Sequence, residues 1–241
     1  PPLKLVDGGS INQPLLQIIL RNSRVPEALE NDLLAQMKSL QAGTEELADI
    51  IATYGIDVID AAVEQLIEYA EKKTRLEIAQ IPDGTYKSEV PIMDDGFAGG
   101  PYWLRVVIEK KGSEISFDFT GTAPQVQGNV NVTLNATQAS VCYSLKALLD
   151  PEVPNNQGVL DVCEIVTERG SLLDCVAPAP VAARANTCQR IVDVVIGALK
   201  EALPDAAVGA ANGANTTAVF SGRDPATGRD YLYLETLGGG F

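Results

Sequence analysis

The sequence predicts an α+β protein, and three observations carry that prediction. Apolar residues recur at spacings of three and four from Glu27 to Gln80, the period of helices with one apolar face. At Pro82-Asp83-Gly84 the period changes to two. Pro presets φ and Gly accepts a positive φ, so a turn there hands the chain from helix to strand. From Leu134 onward, helical and β-rich stretches interleave. Residues 1–81 thus read as a helical segment with a long αα-hairpin. Residues 82–241 read as an α+β segment with polar Asn/Gly loops.

The elements follow in order. Residues 10–22, SINQPLLQIILRN, suit a short helix with Ser10 as its cap and Leu15, Ile18 and Ile19 on one face. Pro26, well placed as a first helical residue, opens the next helix. Its stripe is Leu29, Leu33, Met37 and Leu40, then Leu47, Ile50, Ile51 and Tyr54. Gly55 marks the turn, and Val58, Ala62, Leu66 and Tyr69 stripe a second helix ending in EKKTRLE. The resulting hairpin is expected to pack its apolar faces on each other or on a sheet, with an oligomer contact as the alternative.

TYKSEVPI, YWLRVVIEK and EISFDFTG read as three strands of one antiparallel meander, the last two joined at Lys111-Gly112-Ser113. A helix spans about Leu134 to Leu149, stopped by Pro151, Pro154 and Asn155-Asn156. LDVCEIV reads as a strand and APAPVAARANT as an extended connection. Asn186 or Thr187 caps a helix from Cys188 to Ala202 that Pro204 closes. The loop GAANGANTT, a short strand, a turn at GRDPATGRD and a strand over Tyr231–Leu234 complete the chain. That last strand runs into Glu235, Thr236 and Gly238-Gly239-Gly240. Three successive glycines suit a close backbone approach to an anion or a tight catalytic turn.

Composition excludes several functions. Eighteen basic against 32 acidic residues give a net charge of −14, which repels phosphate backbones, so no nucleic-acid partner is expected. No apolar run approaches the ~18–20 residues of a membrane span, and PPLKLVDGGS has no signal-peptide architecture. Cys142, Cys163, Cys175 and Cys188 lie far apart without CxxC spacing, so neither a zinc site nor a disulfide framework is signalled. A reduced, cytoplasmic setting is the expectation. There is no histidine, hence no Ser-His-Asp triad, Cys-His pair or imidazole ligand. Chemistry done by these residues alone falls to carboxylates, Lys, Tyr, Cys and backbone dipoles. GxGxxG and GxxxxGK[ST] are both missing, so the sequence carries no nucleotide fingerprint.

Four stretches hold more Asn, Gly and Thr than a core needs: residues 118–133, 154–158, 185–190 and 212–217. Asn amides both donate and accept, so clustered Asn can hold a polar ligand without charge; loops are also made of these residues. Arg184 and Arg190 flank a helix start, where an Arg can meet a carboxylate or phosphate or pair with a local acid. Asp94-Asp95 reads as solvated surface, and Cys188 as a buried, inert thiol.

Several stretches in this order carry a resemblance. LKLVDGGSINQPLLQIILRNSRVPEALENDLLAQ, IPDGTYKSE, ISFDFTGTAPQVQGNVN, LLDPEVPNNQG, NTCQRIVDVVIGAL and YLETLGGG together resemble the hydantoinase B family over essentially the whole chain. That family supplies a large subunit of N-methylhydantoinase and of acetone and acetophenone carboxylases, and it resembles the C-terminal half of 5-oxoprolinase. The resemblance implies an ATP-dependent hydrolase of a cyclic amide (a hydantoin, 5-oxoproline or other lactam), working in a cytoplasmic hetero-oligomer. The partner is a hydantoinase A-type ATP-binding subunit. A ketone carboxylase and a non-catalytic docking scaffold are the alternatives. It also implies a segment cut at both ends, with ATP and a divalent metal bound elsewhere in the complete complex and no catalysis by the segment alone. The family stretches match Thr120, Gly121, Gln125, Gly128, Asn129 and Asn131; Asn155, Asn156 and Gly158; Gln189 and Arg190; and Glu235, Thr236, Gly238, Gly239 and Gly240. The expectation is that these line or support a substrate cleft, the glycines presenting backbone amides; tight turns alone are the alternative.

Overall fold

A computed structural model describes residues 3–97, 99–210 and 216–237. The chain divides into two compact units, residues 1–64 and 65–241.

The first unit opens with a small antiparallel hairpin of β1 (Val6–Asp7) and β2 (Ser10–Ile11), turning through Gly8 and Gly9 at positive φ. Helix α1 (Gln13–Arg21) is capped not by Ser10, which lies in β2, but by Asn12, whose Oδ1 accepts from the Leu15 N–H at 3.1 Å. Ser10 is spent on strand pairing, and Asn12 is the residue left at the helix entry. Helix α2 (Pro26–Tyr54) starts at Pro26 as expected and ends at Gly55, whose φ of 82° suits only glycine. Helix α3 (Ile56–Ile78) follows at once. Both helices form where the periodicity places them. Their stripes are covered only in part, however: no residue of α2 is fully buried, Leu29, Leu33, Met37 and Ile51 are partly buried, and Leu47, Ile50, Tyr54, Val58, Leu66 and Tyr69 are exposed.

The second unit is built on a four-stranded sheet of β3 (Gly84–Ile92), β4 (Tyr102–Lys111), β5 (Glu114–Asp118) and β6 (Cys163–Val166), in that order. The first three strands make the expected antiparallel meander, and β6 adds parallel to β5. LDVCEIV is only partly strand. Its leading residues fall in or beside a one-turn helix, α5 (Gln157–Asp161), opened by Asn156, whose Oδ1 accepts from the Gly158 N–H at 2.9 Å.

Strand β4 shows why the sheet has one buried face. Leu104, Val106 and Ile108 are buried, while Arg105 and Glu109, on the opposite face, are exposed. On the exposed face Arg105 pairs with Glu89, directly opposite on β3, at 3.0 Å. Helix α6 (Arg184–Leu199) covers β3 and β4, and α4 (Leu134–Leu148) packs on α6. Gly197 sets the close approach, since a Cβ there would lie 3.1 Å from Ser88 Oγ. Ile191, Val194, Val195 and Leu199 of α6 close the core against Phe117, Ile108 and Val141.

Helix α6 begins four residues before the expected Cys188. Ala183 sits at its N-cap, and neither Asn186 nor Thr187 caps it. The Thr187 hydroxyl donates instead to the Val130 carbonyl at 2.6 Å, tying the helix to a neighbouring loop. Strands β7 (Thr216–Arg223) and β8 (Asp230–Leu237) form a separate antiparallel hairpin whose Val219, Phe220, Tyr231, Leu232, Tyr233 and Leu234 are exposed.

Candidate functional site

Three segments meet around a cleft of about 420 Å³: the end of β3 with the loop after it, the loop before α4, and the first turns of α6. Asp94, Asp95, Asn129, Asn186, Thr187 and Arg190 are among its lining.

The loops are held by polar groups buried behind the lining. Asp95 does not lie on solvated surface, as its acidic neighbour suggests; it is only 6% exposed. Its Oδ2 accepts from the Gly128 N–H at 2.9 Å and its Oδ1 from the Phe97 N–H at 3.2 Å. Two amide donors satisfy a buried carboxylate that would otherwise be costly. Tyr102 also hydrogen-bonds Asp95; burial, then the charge of Asp95, pushes the phenol's pKa up. Asp95 therefore positions Gly128 beside Asn129. Gly128 must be glycine, because a Cβ would sit 1.9 Å from the Asp95 carbonyl oxygen.

Asn131 is fully buried and acts as a clamp. Its Oδ1 accepts from the Val126 N–H at 2.8 Å, and its Nδ2 donates to the carbonyls of Val126, Gly128 and Pro180 at 2.9 Å each. With Ala183 N–H donating to the Asn129 carbonyl at 2.9 Å, the backbone of the 126–131 loop is fixed and the Asn129 side chain is left exposed in the cleft. Arg190 reaches the cleft from α6 and pairs with Asp193, one turn on, at 2.6 Å.

The structure thus brings together Asn129 and Arg190, with Asn131 and Gly128 as the frame beneath. It places the other expected residues elsewhere. Thr120 and Gly121 form the turn after β5: the Asp118 carboxylate accepts from Thr120 N–H, the Glu168 carboxylate accepts from Gly121 N–H, and Gly121 has φ of 83°. Gln125 makes a two-way amide pair with the backbone of Val176. Asn155 accepts from Lys146 at 2.7 Å. Asn156, besides opening α5, donates to the Leu66 carbonyl, and Gly158 leaves no room for a Cβ, which would lie 2.2 Å from the Ile67 carbonyl. Gln189 lies in α6 and does not line this cleft. Glu235 and Thr236 lie on exposed β8, where Tyr233 donates to Glu235. Gly238, Gly239, Gly240 and the Asn residues at 212 and 215 fall outside the described residues.

Sequence reasoning missed Asp95 as part of the cleft, and named Asn186 only as a helix cap and as a member of the polar stretch 185–190. The available signal was the glycine-rich DDGFAGGP directly after a strand, a composition that bends a loop back over a sheet end. Among the described residues no three His, Cys, Asp or Glu side chains stand close enough to hold a metal, so these residues do not fit a metal centre.

Comparison with known proteins then places the chain. The family model described as Hydantoinase B/oxoprolinase matches residues 1–241. An uncharacterized protein of Methanocaldococcus jannaschii is 34% identical over 100% of this chain and 41% of its own length. A putative D-/L-hydantoinase B-type subunit of a Pseudomonas species is 31% identical over 99% of this chain and 42% of its own length. The crystal structure of ATP-dependent caprolactamase from Pseudomonas jessenii superposes with a TM-score of 0.85 at 25% identity, covering 96% of this chain and 40% of that one. The chain therefore spans about two fifths of the length of these relatives.

Proposed function

The chain belongs to the hydantoinase B/oxoprolinase family, and from that premise we propose that it forms part of the B-type subunit of an ATP-dependent hydrolase of cyclic amides. The observation that carries the reading is the likeness to a structure named ATP-dependent caprolactamase over nearly the whole chain. The cleft chemistry supports it. A ring amide is locked cis, so its C=O and N–H lie on one edge. The carboxamide of Asn129 presents an acceptor and a donor on one edge as well, and makes two reciprocal hydrogen bonds to such a ring without carrying charge. Arg190, beside it, stabilises negative charge gathering on the carbonyl oxygen. Asp95 and Asn131 act through the backbone they hold, as positioning residues.

ATP, bound by an A-type partner subunit in this reading, supplies the phosphoryl group that activates the carbonyl. The partner's docking surface is the exposed part of the α2 stripe, from Leu40 to Tyr54, and the start of α3. Between residues 26 and 54 that helix carries Glu27, Glu30, Asp32, Glu45, Glu46 and Asp49 against Lys38 as its single base. An apolar stripe edged with acid fits a partner face of apolar residues rimmed by Lys and Arg. Four free cysteines accord with a cytoplasmic setting.

The test is a ring-opening assay of the full-length subunit co-purified with its ATP-binding partner. Hydantoin, 5-oxoproline and caprolactam are offered with ATP, and acid products are followed by mass spectrometry. Ring-opened acid is expected from at least one substrate, with kcat lowered about a hundredfold in Asn129→Ala. A β-keto acid from ketone and bicarbonate, with no lactam opened, would replace hydrolysis with carboxylation. Product formation by neither route would leave the docking scaffold.

A further inference from the structure

The charges around the cleft are unevenly matched. Pro91, Ile92, Met93, Val130 and Ala183 give it an apolar wall, and Arg190 is the only base in its described lining. The Arg190 guanidinium lies 2.6 Å from the Asp193 carboxylate, so the pair brings little net charge. It still donates to a neutral carbonyl, but it does not meet an anion as an unmatched cation. Arg184, the first residue of α6, is exposed and does not line the cleft.

The acids are disposed differently. Asp95 is buried, and its carboxylate is taken up by the N–H groups of Phe97 and Gly128. Asp94, beside it in the lining, is exposed. Its Oδ1 accepts from the Gly96 N–H at 3.0 Å, and its Oδ2 accepts from no donor among the described residues. Two constraints hold Asp94 in place. Gly100 packs so closely on this loop that a Cβ would lie 2.3 Å from the Met93 carbonyl oxygen and 3.4 Å from Asp94 Cα. The hydrogen bond from the Gly128 N–H to Asp95, 2.9 Å long, joins the residue after Asp94 to the residue before Asn129. Asp94 and Asn129 therefore line one cleft from two loops that are tied together.

We propose that Asp94 selects the charge of the substrate. It favours a cyclic amide with an ammonium group on its ring, admits a neutral one, and disfavours one that carries a carboxylate. The inference rests on the cyclic-amide reading above and narrows it. With the ring amide on the Asn129 carboxamide, the ring methylenes lie along the apolar wall and a ring ammonium takes the spare oxygen of Asp94. A ring carboxylate in the same place meets Asp94 at like charge, and Asp193 already matches the one base within reach. The chain's net charge of −14 adds a field of the same sign.

The experiment measures binding by calorimetry to the full-length subunit co-purified with its ATP-binding partner, without ATP so that no ring opens. Two matched pairs of ligands are used: caprolactam with α-aminocaprolactam, and pyrrolidinone with its carboxylate, 5-oxoproline. At neutral pH and low salt the amine should bind about tenfold tighter than caprolactam, and 5-oxoproline about tenfold more weakly than pyrrolidinone. Asp94→Asn keeps the size of the side chain and the oxygen that meets the Gly96 N–H, and both ratios should fall toward one. Structural damage would weaken all four ligands together and leave the ratios where they were. An amine no tighter than caprolactam, 5-oxoproline as tight as pyrrolidinone, or ratios unmoved in Asp94→Asn would each overturn the proposal while the cyclic-amide reading stands. Binding of none of the four would overturn both.

Discussion

Helix α2 and strand β4 carry the same kind of signal with opposite outcomes. Each has apolar residues at the period of its element. In β4, Leu104, Val106 and Ile108 vanish beneath α6, while in α2 Leu40 remains 73% exposed and Leu47 51%. A period identifies a face but says nothing of what covers it. In the second unit the cover is encoded in the same chain, by α6 and α4. In the stripe of α2, Leu29, Leu33, Met37 and Ile51 are partly buried while Leu40, Leu47, Ile50 and Tyr54 stay exposed, and that exposed part is what we give to a partner.

The contrast is sharpest when core and stripe are each truncated. Phe117, fully buried in β5 and opposite Ile108, should cost about 3–5 kcal/mol as Phe117→Ala, read from the shift in urea midpoint. A loss below about 1 kcal/mol would mean that the sheet–helix core is loosely packed.

Next in size is the buried clamp of the loop before α4. Asn131→Ala leaves the Val126 amide and three carbonyls without their partner, a loss of about 2–4 kcal/mol. Asn131→Asp should rescue little, since it keeps the acceptor and loses both donors. Gly128→Ala should cost about 1–3 kcal/mol by driving a methyl into the Asp95 backbone. It should also reduce ligand binding at the cleft more than Gly121→Ala, where the new Cβ makes only an ordinary 4.0 Å contact with Arg105 Cδ and the strain is in backbone φ. Equal binding in the two variants would separate the Asp95 loop from the site.

A smaller effect probes the edge of the core. Lys110 is buried, and its ammonium pairs with Asp83 at 2.8 Å and also reaches the Ile81 carbonyl. Hydrogen bonds from Lys110, then from the Gly112 N–H, hold the Asp83 carboxyl below its ordinary pKa. The folded state therefore favours the ionised form. Its contribution is complete above about pH 4 and is lost as pH falls through the lowered value. Asp83→Asn should flatten the acid limb of stability against pH below that point; an unchanged slope would assign the limb to other carboxylates.

The smallest effect on folding belongs to the stripe. Leu47→Ala should change the stability of the chain alone by less than about 0.5 kcal/mol, yet lower affinity for the ATP-binding partner at least tenfold. A full loss of folding would show that the stripe is an internal core after all, and unchanged affinity would move the partner to another face.

The cleft is partly legible in the sequence for a similar reason. Matching stretches point to Asn129 and Arg190, but the same reasoning gathers Gln125, Asn155 and Asn156 with them. Those three are committed to backbone groups, near or distant in sequence, or to Lys146. Asn and Gly are the vocabulary of both turns and sites, and only the fold separates an amide that turns back on its own loop from one that faces a cleft. Asp95 misleads in the opposite sense, since two adjacent acids look solvated until the amides of Gly128 and Phe97 are seen to point at one of them.

By itself the sequence determined the elements and the family. Local energetics decide these: the period of the apolar residues, Pro26 at a helix start, Gly55 and Gly112 at positive φ, and an ordered series of motifs. Only the tertiary structure decided that β6 pairs parallel with β5, that Asn12 rather than Ser10 caps α1, and that Thr187 binds a loop rather than a helix end. Each of those joins groups through a competition among several suitable partners. Packing settles that competition, because a buried polar group takes whichever partner the surrounding core leaves within reach.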